Sequence, residues 1–190
     1  MNKVYIEDQS FNNKDFTIEN LSRGEYDYCK FTNCNFSNSD LTDIEFTECE
    51  FIDCNISMSK IANTAFRNIV FKGCKMLGLN FEDCNKFGFE VSFENCILNH
   101  TSFYKCKLDK TLFKDSQIHE ADFTESNLNS STFDNCDLSR AVFEKANLEK
   151  SDFRTAFNYS INLNINKIKK AKFSSSGLAG LLTQYNIIIE

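Results

Sequence analysis

A large apolar residue recurs at every fifth position from Phe11 onward: Phe11, Phe16, Leu21, Tyr26, Phe31, Phe36, Leu41, and so on to Phe81. The series then slips by two residues and resumes at Phe93, Leu98 and Phe103, holding to Phe153. Seventeen of the twenty Phe occupy this slot, and all nine Cys lie two residues before it. Such a spacing matches neither the turn of a helix nor the alternation of a strand. It marks a repeat architecture, in which each unit buries its apolar face only by stacking on its neighbours.

Within the unit, the position two before the large residue holds Cys, Ser, Thr or Ala in most cases, as at Cys34, Cys54, Ser116, Ala121, Ser126 and Ala146. Residues two apart share a face of an extended chain, so the small and the large residue point inward together. The remaining positions are mostly Asn, Asp, Glu, Lys, Ser and Thr, which suit solvent and corner turns. Each unit is therefore one side of a coil. Grouping the centres at twenty residues yields a column of Phe alone: Phe11, Phe31, Phe51, Phe71, then past the slip Phe93, Phe113, Phe133, Phe153 and Phe173. Shorter groupings place Leu21 or Tyr26 in that column. The pattern predicts four sides per turn, with like residues stacked over one another.

The units Ala121-Asp122-Phe123-Thr124-Glu125 and Ala146-Asn147-Leu148-Glu149-Lys150 resemble the A(D/N)Lxx motif of the pentapeptide-repeat family. The resemblance covers most of the chain. It implies an all-β fold, a right-handed quadrilateral parallel β-helix over residues 1–174, with coils about 4.8 Å apart. Two irregularities interrupt the repeat. At 84–92 the expected centre is Lys86, while Phe87 and Phe89 are off register around Gly88. A corner bulge that restores the columns is the expectation, with a docking feature as the alternative. At 157–160 the expected centre is Asn158, and this side is expected to loop out.

Residues 175–190 break the pattern. Leu178, Leu181, Leu182 and Tyr185 recur at helical spacing, Ser175 or Ser176 could cap the helix, and Ile187, Ile188 and Ile189 form an apolar tail. Solenoid ends need caps, but this is more apolar surface than a lid needs. A homodimer through a two-fold axis is the expectation for Leu178, Leu181, Leu182, Tyr185, Ile187 and Ile188, with a lid alone as the alternative. The layout is similar to the C-terminal segments of the Qnr and MfpA branch of the family, in which such helices form dimers.

Composition narrows the function classes. No apolar run approaches a membrane span and the first residues lack a signal peptide, so a cytoplasmic protein without membrane contact is expected. The Cys follow the repeat and are expected as buried free thiols; neither a metal site nor a cofactor is implied. His100 and His119 fall on outward positions of separate units, and no catalytic set or phosphate loop is found. The chain is read as a non-enzyme with no catalytic residues.

The formal net charge is −6, unevenly spread. Glu19, Glu25, Asp27, Asp40, Asp43, Glu45 and Glu48 make an acidic corner near the start of the rod, relieved by Arg23 alone, whereas residues 167–172 are basic. Direct nucleic-acid binding is disfavoured by repulsion. A rod with spaced carboxylates suits instead a protein groove built for DNA. The resemblance to Qnr and MfpA implies DNA gyrase or topoisomerase IV as the partner and protection from quinolones. The absence of long projecting loops brings the chain nearer to MfpA. A structural or scaffold module with an unrelated protein partner is the alternative.

Overall fold

The computed structural model describes residues 4–188, and Ile189 lies outside them. The chain winds as a right-handed, four-sided parallel β-solenoid. Two sides carry strands long enough to form sheets. One holds β1 (Val4–Glu7), β3 (Gly24–Asp27), β5 (Glu45–Thr47) and β7 (Ala65–Arg67) in the order β1-β3-β5-β7. The next holds β2 (Ser10–Asn12), β4 (Lys30–Thr32), β6 (Glu50–Ile52), β8 (Ile69–Lys72), β9 (Val91–Glu94), β10 (Leu112–Lys114) and β11 (Thr132–Asp134), each on its predecessor. Elsewhere the rungs meet through single bridges such as Asp122↔Val142 and Asn127↔Asn147. The register is twenty residues throughout the first coils, as in Phe31↔Phe51.

The corners have a common cause. The residue two past the large apolar centre has positive φ at most corners, as at Asn33 (52°), Asn38 (58°), Asp53 (52°) and Asn63 (54°). On the sides without sheet, the centre's carbonyl accepts from the amide three residues on, as in Ser39 N to Phe36 O at 2.9 Å. This is a type II turn, which requires a left-handed residue at its third position. Asn and Asp tolerate that conformation, hence their abundance there. Gly73 occupies one such corner at φ +63°, and a Cβ there would also meet the Asp53 carboxylate.

Inside, the Phe column forms a continuous stack. Ring centroids are 4.7 Å apart from Phe113 to Phe133 and 4.7 Å from Phe133 to Phe153, with planes 1° and 12° apart. The neighbouring column of Phe81, Phe103, Phe123 and Phe143 stacks likewise at 4.7 to 5.0 Å and meets the first edge to face. The small inward slot serves the backbone as well as the core. Cys54 Sγ donates to Phe31 O (3.4 Å), Ser59 Oγ to Phe36 O (2.6 Å) and Thr64 Oγ1 to Leu41 O (2.7 Å), each reaching the previous coil. This explains why Cys, Ser and Thr stand where Ala alone would satisfy packing. All nine Cys are free and buried. Burial pushes the thiols of Cys49, Cys106 and Cys136 up to about 12, which leaves them un-ionised and inert.

The irregularity at 84–92 is a bulge. Pairing is still Ala65↔Asn85, but becomes Ile69↔Val91, so two extra residues are absorbed between them and the Phe column resumes at Phe71↔Phe93. Lys86 is exposed, and Phe89 enters the core in its place, 6.1 Å from Phe81. Phe87 is left 80% exposed at the tip.

At 157–160 the side does not loop out. Asp137↔Phe157 keeps the ladder, Asn158 turns outward at φ 58°, and Tyr159 fills the slot one residue late. Asn166 stands in a small inward slot and is satisfied there, its amide donating to Phe143 O (2.7 Å) and Asn162 O (2.8 Å).

The C-terminal helix is 3₁₀ in form, Ser175–Leu181 then Thr183–Tyr185. Its cap is Ser174, one residue before those expected, with Oγ accepting from Gly177 N. Tyr159 explains the geometry: a Cβ at Gly180 would lie 2.2 Å from Tyr159 O, and one at Gly177 2.0 Å from its hydroxyl. Leu181 is buried and closes the core, which fits the lid of the two roles expected for it, and Leu182 is half-buried. Leu178, Tyr185, Ile187 and Ile188 are exposed.

Two outcomes check this packing. Phe89→Ala should lower unfolding free energy by roughly 2–3 kcal/mol, while Phe87→Ala stays within about 0.5 kcal/mol, in urea titrations. Gly180→Ala should lower the melting temperature by forcing the cap off Tyr159, and Leu181→Asp should do so more strongly by burying a charge.

Candidate partner-binding face

The sheet β1-β3-β5-β7 and the rungs that continue its side form one face. Alternation in the strands turns Tyr26 and Phe46 inward, and Glu25, Asp27 and Glu45 outward. In-register pairing then stacks Tyr5, Glu25 and Glu45 in one column and Glu7 and Asp27 in the next. Glu48 turns the corner at φ 54°. Desolvation, and then the carboxylates of Glu7 and Asp27, push the Tyr5 phenol up to about 12, as expected for a surface of negative potential.

The residues of the expected acidic corner separate into two groups. Asp40 and Asp43 lie along the adjoining corner with Arg23, 3.4 and 3.9 Å away. Hydrogen bonds from Thr42 are the chief cause holding the Asp40 carboxyl below its usual range. Glu45 is paired to Arg67 at 2.9 Å. These three are thereby partly neutralised. Glu25, Asp27 and Glu48 have no basic partner among the described residues; Glu48 accepts only from the Asn68 amide (2.6 Å). Glu19 is exposed in the first coil, away from this column.

The same face turns basic along the rod. Continuing the columns past the two-residue slip brings Lys107, Lys110, Lys150, Lys167, Lys169 and Lys170 onto it, through the bridges Lys107↔Asn127, Asn127↔Asn147 and Asn147↔Lys167. All six Lys are exposed, and among the described residues none has a carboxylate partner. Asp109 and Glu149 are interspersed. Sequence reasoning placed the 167–172 cluster at an end but missed its alignment with the acids; columns of twenty carried through the slip would have found it.

On the other sides, several charges are paired between rungs. Examples are Lys30–Glu50 (3.3 Å), Lys114–Glu94 (2.9 Å), Lys105–Glu125 (3.5 Å), Arg140–Glu120 and Lys172–Asp152 (3.5 Å). His119 Nε2 lies 3.0 Å from Asp137 and His100 Nδ1 3.3 Å from Glu120, on separate units. Among the described residues no group of three or more His, Cys, Asp or Glu could hold a metal ion, and no helix is long and apolar enough to cross a membrane.

Asp152 makes this pairing measurable. The Arg154 side chain donates three hydrogen bonds to it and, with the Arg154 amide and the charges of Arg154 and Lys172, lowers its pKa to about 2. A depressed folded-state pKa stabilises above the unfolded value and loses that contribution as pH falls. Stability should therefore decline as pH falls from about 4 toward 2. Asp152→Asn should flatten that limb, as read by melting temperature against pH.

The model of the family described as "Pentapeptide repeat region" matches residues 25–86 and 88–173. Two solved structures share the coil. QnrB1, described as a plasmid-mediated fluoroquinolone resistance protein, aligns over 97% of this chain and 100% of its own at 16% identity, with TM-score 0.55. HetL from the cyanobacterium Nostoc, described as involved in heterocyst differentiation regulation, aligns over 89% of this chain and 86% of its own at 15% identity, with TM-score 0.51. No curated protein sequence matches the chain. Such identities speak for the fold alone, and the family match and the coil agree: the chain belongs to the pentapeptide-repeat family.

Proposed function

We propose that this protein is a non-enzymatic binding rod whose acidic rungs enter a basic protein groove built for DNA. The partner is a type II topoisomerase, DNA gyrase or topoisomerase IV, acting in the cytoplasm, and the outcome is reduced quinolone action on it. The observation that carries this reading is the set Glu25, Asp27 and Glu48: carboxylates on neighbouring rungs, unpaired by basic side chains among the described residues. Rungs about 4.8 Å apart set charge at a spacing comparable to the 3.4 Å per phosphate of a DNA strand. A groove lined with Lys and Arg for phosphates attracts such a rod by the same electrostatics. The likeness to QnrB1 is compatible with this partner. HetL shows that the same coil serves another role, so the charge carries the reading rather than the fold.

A second reading is favoured by the lysines on the same face. They would be repelled by a uniformly basic groove, which limits contact to the first rungs, whereas a scaffold partner of mixed charge could use the whole face.

The homodimer expected from the C-terminal segment is carried into this reading, with its surface redrawn. The described end of the rod exposes Leu178 (50%), Tyr185 (53%), Ile187 (55%) and Ile188 (88%). These, rather than Leu181, are the end-on contact we propose.

Glu25→Lys, Asp27→Lys and Glu48→Lys together should weaken gyrase binding at least about tenfold while leaving the melting temperature nearly unchanged, since charge pairs at a recognition surface are worth more than 1.4 kcal/mol in sum. Binding that survives both the swap and high salt would support the scaffold reading. Leu178→Asp with Ile188→Asp should convert an end-on dimer to a monomer by light scattering without loss of fold.

A further inference from the structure

Charge on this molecule follows two rules. On the other sides, several acids and bases on neighbouring rungs pair with one another, as in Lys30–Glu50, Lys105–Glu125 and Lys114–Glu94. On the face that begins with β1 and β3 they are largely segregated, with Asp109 and Glu149 among the lysines. Its first rungs present Glu7, Asp8, Glu25, Asp27 and Glu48, and its last rungs Lys150, Lys167, Lys169 and Lys170. Among the described residues none of these has an oppositely charged partner. Segregated charge forgoes such local pairing, and it leaves a face with opposite ends.

The middle of this face differs from both ends. There the two-residue bulge projects Phe87, 80% exposed, with the Arg67 guanidinium 6.0 Å from its ring centroid. Four rungs of the face precede the bulge and four follow it. The order along the face is thus acidic, apolar, basic, with the apolar point near the centre.

A second copy of the chain, laid antiparallel across this face, sets opposite charges together at its two ends, while the rungs between place Glu48 opposite the uncharged Asn127 and Asn129. A two-fold axis through the bulge sets the first rung opposite the last, so Glu7 and Asp8 meet Lys167, Lys169 and Lys170. Glu25 and Asp27 meet Lys150, and the two Phe87 rings approach near the axis. An isologous contact requires a self-complementary patch, and opposite charges at mirrored distances from a centre are that condition. We infer that this face is a lateral, antiparallel self-association surface, formed with a second copy of this chain.

The expected strength follows from size. A face about 40 Å long and about 10 Å wide gives roughly 800 Å² in total, at the low end for protein contacts, so association is weak. Being electrostatic and exposed, it is sensitive to salt. The lateral contact uses a different surface from the apolar end. It also covers Glu25 and Asp27, so self-association and capture by a basic partner would compete.

The test uses the purified chain, so it is independent of any topoisomerase. Within one molecule the first and last rungs are about 35–40 Å apart, too far for a zero-length carbodiimide link, and an end-on contact does not bring them together. At about 200 µM protein, a concentration suited to a weak contact, and low salt, links should form between Lys167–Lys170 and Glu7, Asp8, Glu25 or Asp27. They should disappear at about 0.5 M salt. An acid-reversed variant (Glu7→Lys, Asp8→Lys, Glu25→Lys, Asp27→Lys) and a base-reversed variant (Lys167→Glu, Lys169→Glu, Lys170→Glu) should each be monomeric in the Ile188→Asp background. Mixing the two should restore association to about the wild-type level, because each end of one then faces an opposite end of the other. Phe87→Asp should weaken it at least about fivefold. Absence of the links in the wild-type chain, or failure of the mixture to associate, overturns the inference while leaving gyrase binding by the acidic rungs untouched.

Discussion

Every feature of this molecule depends on the in-register stacking of one coil on the next. The backbone ladder places residue i over residue i+20 in the first coils, so large inward side chains land on large ones and, in one column, Phe on Phe. A Phe over a Phe at 4.7 Å is favourable only while the register holds. A slip of one residue would turn every inward side chain to solvent. The thiols and hydroxyls of the small slot add bonds to the previous coil's carbonyls, so even the narrow parts of the core report the register. Stability in such a rod is a sum of contacts between neighbours.

That constraint explains how the interruptions are accommodated. The bulge inserts two residues, yet Phe71 still meets Phe93, and Phe89 replaces the core residue that Lys86 cannot supply. At the other break Tyr159 moves one residue along to do what Asn158 cannot, and the cap is shaped by it, with glycines where the Tyr159 ring and carbonyl come close. In both places the chain deforms locally to keep the columns. The exposed Phe87 is a by-product of this correction and, at the same time, the largest apolar feature at the middle of its face.

The same stacking governs the surface. Outward residues form columns too, so a substitution anywhere has a neighbour twenty residues away. On several columns opposite charges meet on neighbouring rungs, as in Lys30–Glu50 and Lys105–Glu125. On one face the acids of the first rungs and the lysines of the last lie apart, and that is the face proposed for binding. A fold shared by proteins of different roles does not itself fix function, which is why the reading proposed for this chain rests on the arrangement of charge along the rod.

The architecture was legible in the sequence because the repeat is a local rule applied many times. Spacing alone revealed the four sides, the all-Phe column, the buried thiols and the register slip. The tertiary structure decided what depends on a single neighbour in space. Arg23 and Arg67 withdraw Asp40, Asp43 and Glu45 from the acidic corner, because side chains reach across rungs in ways that a count of charges does not express. Leu181 proved to be core and Leu178 surface, because the cap is a 3₁₀ segment bent over Tyr159 rather than a regular amphipathic helix. The alignment of the lysines with the acids on one face was present in the sequence but hidden by two extra residues. A repeat can be read without coordinates, but the phase across its defects is set by how the chain closes around them.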